Sequence, residues 1–225
     1  MPTRRADNKL RRSFYNRPTL DVARDLLGKV LVHERLGVRT SGAIVEVEAY
    51  IGESDPACHA APGPTARNAP LYGEPGYAYV YLNYGIHYLV NVVTEAHGSP
   101  AAVLIRALDP LDGLEAMRRR RARRAKGRRP LNGALAPHAL CRGPGNLTMA
   151  MGITLEENRL DLCGDRLYVE DRGLVLGRAA WSSRIGIRVG TEQPWRCFVA
   201  DHPAVSAAAE RSARLLDRRS LGEGG

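Results

Sequence analysis

The stretch YAYVYLNYGIHYLVNVVTEAHGSPAAVLIRA, residues 77–107, decides the fold. It is rich in Tyr, Val, Ile and Leu, and it is broken at Asn83-Tyr84-Gly85 and again at Glu95–Ser99. Aromatic and β-branched runs between Gly- and Asn-containing turns form strands that pair with their neighbours. The reading is an antiparallel meander of Tyr77–Leu82, Ile86–Thr94 and Ala101–Ala107. Upstream, Lys29–Glu34 and Ser41–Tyr50 are apolar and β-branched, and the short connection containing Gly37 makes them a hairpin. Alternation in the second of these strands sends Val45, Val47 and Ala49 into the core, and Ile44, Glu46, Glu48 and Tyr50 to the opposite face.

Helices are fewer. Thr19 is placed to cap a helix carrying Leu20, Ala23, Leu26 and Leu27, which Gly28 stops. Asp109-Pro110 opens another through Leu111, Leu114 and Met117, and Pro144–Met151 makes a third that ends at Gly152. Leu167–Val169, Arg184–Val189 and Arg196–Val199 read as closing strands. Neither a repeat nor a long linker divides the chain. The fold class is therefore α+β, a single compact domain with a curved, mostly antiparallel sheet over residues 18–206. A polar basic arm, 1–17, precedes it and a tail, 207–225, follows.

The chain has 225 residues, of which 44% are apolar, enough for a sizeable core. No run approaches the roughly 18 apolar residues of a membrane span, and the polar start of the chain has no signal-peptide core. The expectation is no membrane partner and a cytoplasmic location, nucleoid-associated in a bacterium. Cys58, Cys141, Cys163 and Cys197 form no C-x-x-C, so neither a zinc ribbon nor a redox motif is encoded. Charge is more telling: 33 Lys and Arg against 24 Asp and Glu give +9. The whole excess sits in RRRRARRAKGRR, residues 118–129. Charge alone leaves two readings open for this strap, a contact with a polyanion and a solvated run.

Residues 51–76 hold five prolines, four glycines and His59, and a loop of that length inside a compact domain is usually functional. It begins directly after Glu46, Glu48 and Tyr50. A carboxylate in a partly apolar pocket can take a proton from water, although E-V-E-A-Y by itself also fits a solvated strand face. Tyr77, Tyr79 and Tyr81 alternate onto one face, where they either pad the sheet or stack on bases. Tyr84 sits at a turn, where an aromatic has no core to fill and is available to wedge between bases. C-R-G-P-G-N-L, 141–147, places Gly143 and Gly145 at a helix entry, a geometry that suits an anion but also a plain tight turn.

I-V-E-V-E-A-Y (44–50), D-P-A-C-H-A (55–60), T-A-R-N (65–68), Y-V-Y-L-N-Y-G (79–85), N-V-V (91–93), A-V-L-I-R-A (102–107) and G-P-G-N-L (143–147) resemble, in order, the alkyladenine (3-methyladenine) DNA glycosylase family. The resemblance covers roughly residues 13–206, including R-I-G-I and P-W-R. It implies a monomeric, monofunctional enzyme that flips damaged purines out of double-stranded DNA and hydrolyses their N-glycosidic bond. No metal or organic cofactor is implied, and no lyase activity. The implied range includes alkylated purines and extends to hypoxanthine and ethenoadenine. By position, Glu48 resembles the general base, Tyr50 and His59 two walls around the flipped base, and Tyr81 the opposite wall. Asn91 resembles the residue that excludes the guanine amine, Arg106 a residue of the DNA-facing pocket, and Tyr84 the intercalating residue. Arg118, Arg119, Arg120, Arg121, Arg123 and Arg124, with Gly143 and Gly145, are expected along the DNA backbone. The implied fold is similar to the C-terminal domain of methionyl-tRNA formyltransferase. Leu71-Tyr72 departs from the family's usual Met-Phe. Two other readings stand beside this one: a non-catalytic nucleic-acid or RNA-binding module, and a nuclease in which Asp55 joins Glu46 and Glu48 at a metal.

Overall fold

The computed structural model describes residues 8–123 and 135–206. Its helices are α1 (Arg12–Tyr15), α2 (Thr19–Leu26), α3 (Leu114–Arg123) and α4 (Pro144–Met151). Its strands are β1 (Val30–Arg35), β2 (Val38–Ile51), β3 (Ala78–Asn83), β4 (His87–Val93), β5 (Ala101–Asp112), β6 (Leu167–Glu170), β7 (Ala179–Ser182) and β8 (Arg196–Val199). The meander is present as β3-β4-β5, and the sheet continues through β2, β1 and β6, with antiparallel pairing throughout. This is an α+β domain built on one antiparallel sheet.

The long strand β2 organises the sheet. A two-residue turn, Leu36-Gly37, with both residues at positive φ, feeds it from β1, matching the twist of a tight hairpin. Along one edge β2 pairs with β5 over nearly its whole length. Along the other it pairs first with β1 and then, at Glu46–Glu48, with β8. The middle of β2 therefore has a strand on each side, and each of those strands carries an arginine, Arg106 on β5 and Arg196 on β8. One sheet face is apolar and covered by helices: Ile44, Val47, Ala49, Val80, Val90, Val92, Val103 and Ile105 pack with Leu26, Met117, Leu147 and Met151. The opposite face carries smaller clusters, one of Val45, Ala107, Phe198 and Val199 and one of Cys58, Leu71, Tyr79 and Ala102.

Several local expectations yield to tertiary contacts. Thr19 is the first residue of α2 and not its cap, which is Pro18; its hydroxyl meets Thr94 and Glu95 instead. Asp109-Pro110 opens no helix, because β5 runs on to Asp112 by pairing with β2. Gly113, at φ 78°, then turns the chain into α3. Arg184–Val189 is not a strand; Ala179–Ser182 is the one that pairs with β8. Part of the expected polar arm belongs to the body, since Leu10 and Tyr15 are buried in the main core. Arg124–Arg129 and the tail 207–225 lie outside the described residues.

Candidate active site

Simple alternation along β2 fails at its centre, and that failure builds the site. Ile44 pairs with Leu108, Glu46 with Ala107 and Val47 with Ile105, so Val45 is an extra residue on β2 and Arg106 an extra residue on β5. Bulges re-aim side chains. As a result Ile44, expected opposite the core, packs in it with Val47 and Ala49, while Val45 moves to the other face. Arg106 turns onto the face of Glu46 and Glu48, where its Nε donates to Glu46 Oε1 at 2.9 Å and its Nη1 lies 3.1 Å from Glu48 Oε2.

Both carboxylates are fully buried, but their surroundings differ. Glu46 accepts from Arg106 Nε, from Arg196 Nε at 2.7 Å, and from both the backbone N–H and the hydroxyl of Ser206 at 2.8 and 2.7 Å. Burial acts to raise its pKa, but Arg106, Arg196 and Ser206 prevail and hold it below the usual carboxylate value. Glu48 accepts from Ile185 N–H at 2.7 Å and Tyr50 O–H at 2.9 Å, and pairs with Arg106. A carboxylate offers about four acceptor positions: Glu46 takes four donors, three of them on Oε1, while Glu48 takes three and keeps a position on Oε1.

The three partners of Glu48 all line a cleft of about 490 Å³. Its aromatic walls are Tyr50, His59, Tyr79 and Tyr81. His59 and Tyr81 meet at 4.4 Å between ring centroids, and Tyr79 lies 5.3 Å from Tyr81. His59 Nδ1 is 2.9 Å from Tyr79 Oη. Burial and the Arg67 guanidinium both press the His59 pKa below its usual value, so the ring is neutral at neutral pH. Burial pushes Tyr79 up to about 12 and raises Tyr50 and Tyr81 as well, so all three phenols stay protonated. Asn91 lines the cleft, its amide N–H bonded to Tyr79 O at 3.0 Å across the β3-β4 pair.

The rim comes from two turns. Tyr84, at the β3-β4 tip, is 86% exposed and has φ 48°, a left-handed conformation that costs a non-glycine residue about 1–2 kcal/mol. Gly143 and Gly145 face it from the entry of α4, and a Cβ on Gly145 would fall 2.5 Å from the His87 ring. Glu48, Tyr50, His59, Tyr81, Asn91, Arg106, Tyr84, Gly143 and Gly145 are thus brought together. The strap arginines are not. Arg118 pairs with Glu115, Arg120 donates to Ala150 O at 2.9 Å and Arg121 donates to Leu140 O, while Arg119 is exposed. Arg123 ends α3, and Arg124 lies outside the described residues.

Four residues that hold the site were not singled out for it from sequence. Arg184 makes a two-pronged ion pair with Asp55 at 2.6 and 2.8 Å, also donates to Ala49 O, and lies over Tyr50 and Trp195. This joins the His59 loop, the end of β2 and the segment presenting Ile185. With both its oxygens engaged by Arg184, Asp55 does not join Glu46 and Glu48 in the way a nuclease metal site requires. Asn68, buried in the same loop, donates to His59 O and Gly63 O, so the Pro/Gly-rich loop is tied to itself. Arg196 completes the set. All four lie in motifs quoted from the sequence, D-P-A-C-H-A, T-A-R-N, R-I-G-I and P-W-R, which carry the signal without the role.

The sequence pattern described as methylpurine-DNA glycosylase matches residues 13–203. A Methanocella arvoryzae protein named "Putative 3-methyladenine DNA glycosylase" is 48% identical over 204 residues, 89% of this chain and 96% of that protein. Proteins of the same name from Chlorobaculum parvum and Clostridium acetobutylicum are 41% and 44% identical, over 94% and 88% of this chain and 99% and 97% of theirs.

Proposed function

The chain belongs to the methylpurine-DNA glycosylase family, and we propose that it excises alkylated purines of the 3-methyladenine type from duplex DNA by hydrolysis. The observation that carries this reading is the contrast between the carboxylates. Glu48 is buried, has a spare acceptor position and is held by three partners that all line an aromatic cleft. A module that only binds nucleic acid has no use for such a group, because a carboxylate repels the polyanion.

In the reaction, the damaged nucleotide leaves the stack and its base enters between Tyr50, His59 and Tyr81. Flipping is cheapest at weakened pairs, which already selects for lesions. An alkylated purine is cationic, and neutral aromatic walls attract a cation by about 0.5–2 kcal/mol. The neutral His59 adds a wall without adding repulsion. A water held at the open acceptor position of Glu48 attacks C1′. The C1′–N bond breaks with its electron pair passing to the base nitrogen, which neutralises the base, and the water's proton passes to Glu48. The sugar keeps the hydroxyl as an abasic site. Arg106 orients Glu48, and Glu48 in turn stabilises the oxocarbenium character of the sugar. Asn91 stands beside the base, where an extra exocyclic amine would meet it. Tyr84 fills the gap in the stack, and Gly143, Gly145 and the exposed Arg119 of the strap meet phosphates. Hypoxanthine and ethenoadenine, being neutral, need leaving-group help and form the slower part of the range.

The test is release of free base from a duplex with one 3-methyladenine-type lesion, with EDTA present. The wild type should release base and leave an alkali-labile abasic strand. Glu48→Gln should bind the lesion duplex as well or better and release none. Release that requires added divalent metal, or tight binding with no release by the wild type, would overturn the assignment.

A further inference from the structure

Resting on that reading, we propose that Glu46 is a positioning residue for excision: it holds the Arg106 guanidinium in the plane that addresses Glu48. All three partners of Glu48 line the cleft, whereas of the partners of Glu46 only Arg106 does, so Glu46 reaches the chemistry through Arg106. The contact is with the Nε of Arg106, at 2.9 Å. Arg106 occupies a bulge, where the ladder does not dictate side-chain direction, so its aim is set by what its guanidinium grips. With Nε fixed on Glu46, the same planar group presents Nη1 to Glu48 Oε2 at 3.1 Å.

The remaining donors on Glu46 make this grip rigid. Arg196 is itself buried, donates Nη1 to Ser182 Oγ at 2.9 Å and lies over the Phe198 ring at 4.4 Å. Ser206 adds its N–H on Oε2 and its hydroxyl on Oε1. Glu46, Glu48, Arg106 and Arg196 together carry no net formal charge, and Arg196 supplies the cation that balances Glu46. Removing the Glu46 charge alone leaves buried positive charge in excess, which burdens the fold as well as the chemistry. The positioning role is therefore exposed by removing Glu46 and Arg196 together.

The experiment compares wild type, Glu46→Gln and Glu46→Gln/Arg196→Met. It measures melting temperature, affinity for the lesion duplex and the single-turnover excision rate at saturating enzyme. The double variant, with its charge balanced, should melt and bind lesion DNA like the wild type within about 3-fold, yet excise about 100-fold more slowly, the loss expected of a misplaced catalytic group. Glu46→Gln should be slow whatever its stability. A double variant that excises at the wild-type rate would overturn the proposal, as would a Glu46→Gln rate that falls only in proportion to its folded fraction. The wild-type arm separates this from the reading it rests on: if wild type releases no base, the glycosylase assignment fails, whereas fast excision by the double variant overturns only the positioning role.

Discussion

Two buried carboxylates, Glu157 and Glu48, are each surrounded by cationic and hydroxyl partners, and only one of them belongs to a site. Glu157 accepts from Thr154 N–H at 2.7 Å, pairs with Arg166 and Arg35, and lies 3.4 Å from His33 Nε2. Burial acts to raise its pKa, but the facing His33 and the hydrogen bonds from Thr154 override it and hold the group at about 2. Everything around it joins β1 to the short turn 155–157, and none of its partners reaches the aromatic cleft. Glu48 has fewer partners, and each of them lines that cleft. Burial and ion pairing by themselves therefore do not identify catalytic groups. What separates the two is where the partners lead and whether an acceptor position stays open.

The sharpest way to break this comparison is to neutralise each carboxylate. Glu48→Gln should lower the single-turnover rate of the folded enzyme by at least the 10²–10⁴-fold assigned to a general base, over and above any loss of melting temperature from the buried positive charge it leaves in excess. Glu157→Gln should leave the rate of the folded enzyme unchanged while costing about 1–3 kcal/mol of stability. Because Arg35 and Arg166 reach solvent, the cost falls short of that for a fully buried pair. The pH dependence has a definite sign. The Glu157 pKa in the folded state, about 2, lies below its ordinary value of 4.5, so its stabilisation is complete above about pH 4.5 and disappears as the pH falls toward 2. Urea midpoints measured from pH 6 down to pH 2 should fall more steeply for the wild type than for Glu157→Gln. Parallel curves would remove Glu157 from the acid response.

A smaller effect distinguishes the cleft's walls from its rim. Tyr81 and Tyr79 are packed, whereas Tyr84 is exposed and held in a strained turn. Tyr84→Ser should remove about 1–3 kcal/mol of stacking, so the flipped population falls by about one to two orders of magnitude. Excision once the base is flipped should be unchanged. Stopped-flow emission from a fluorescent base beside the lesion reports the first quantity, and single-turnover release reports the second. Normal flipping with slow cleavage would place Tyr84 among the walls.

The sheet was largely legible because strand propensity and turn chemistry agree over residues 77–107 and 29–50. What escaped was decided by distant partners. Asp109-Pro110 has a helix-opening sequence, but pairing with β2 outweighs it. The alternation of β2 runs unbroken through Val45 in the sequence because a bulge leaves no mark in a single strand's pattern; it depends on the mismatch with β5. For the same reason the family resemblance places Arg106 at the pocket, while its bridge between Glu46 and Glu48 is visible only in the structure. Arg184 and Arg196 stand in the R-I-G-I and P-W-R motifs, but their structural roles come from burial against partners far away in sequence.

The least effect is expected within the strap, where neighbouring arginines have different fates. Arg120 is spent on the Ala150 carbonyl at the end of α4, and burial together with Arg35 and Arg119 lowers its pKa; Arg121 is spent on the Leu140 carbonyl. Arg119, just before them in sequence, is exposed. If phosphate contact follows exposure, Arg119→Ala should weaken binding to any duplex only a few-fold and lower the slope of log K against log salt by about 0.9. It should leave lesion discrimination untouched, because phosphate contacts carry no base information. Arg120→Ala should leave the slope alone and lower the melting temperature, since it uncaps the Ala150 carbonyl. Titrations of lesion and undamaged duplex at several salt concentrations separate these outcomes. An unchanged slope for Arg119→Ala would make this part of the strap a solvated helix face, and a reduced slope for Arg120→Ala would show that DNA draws that arginine away from α4.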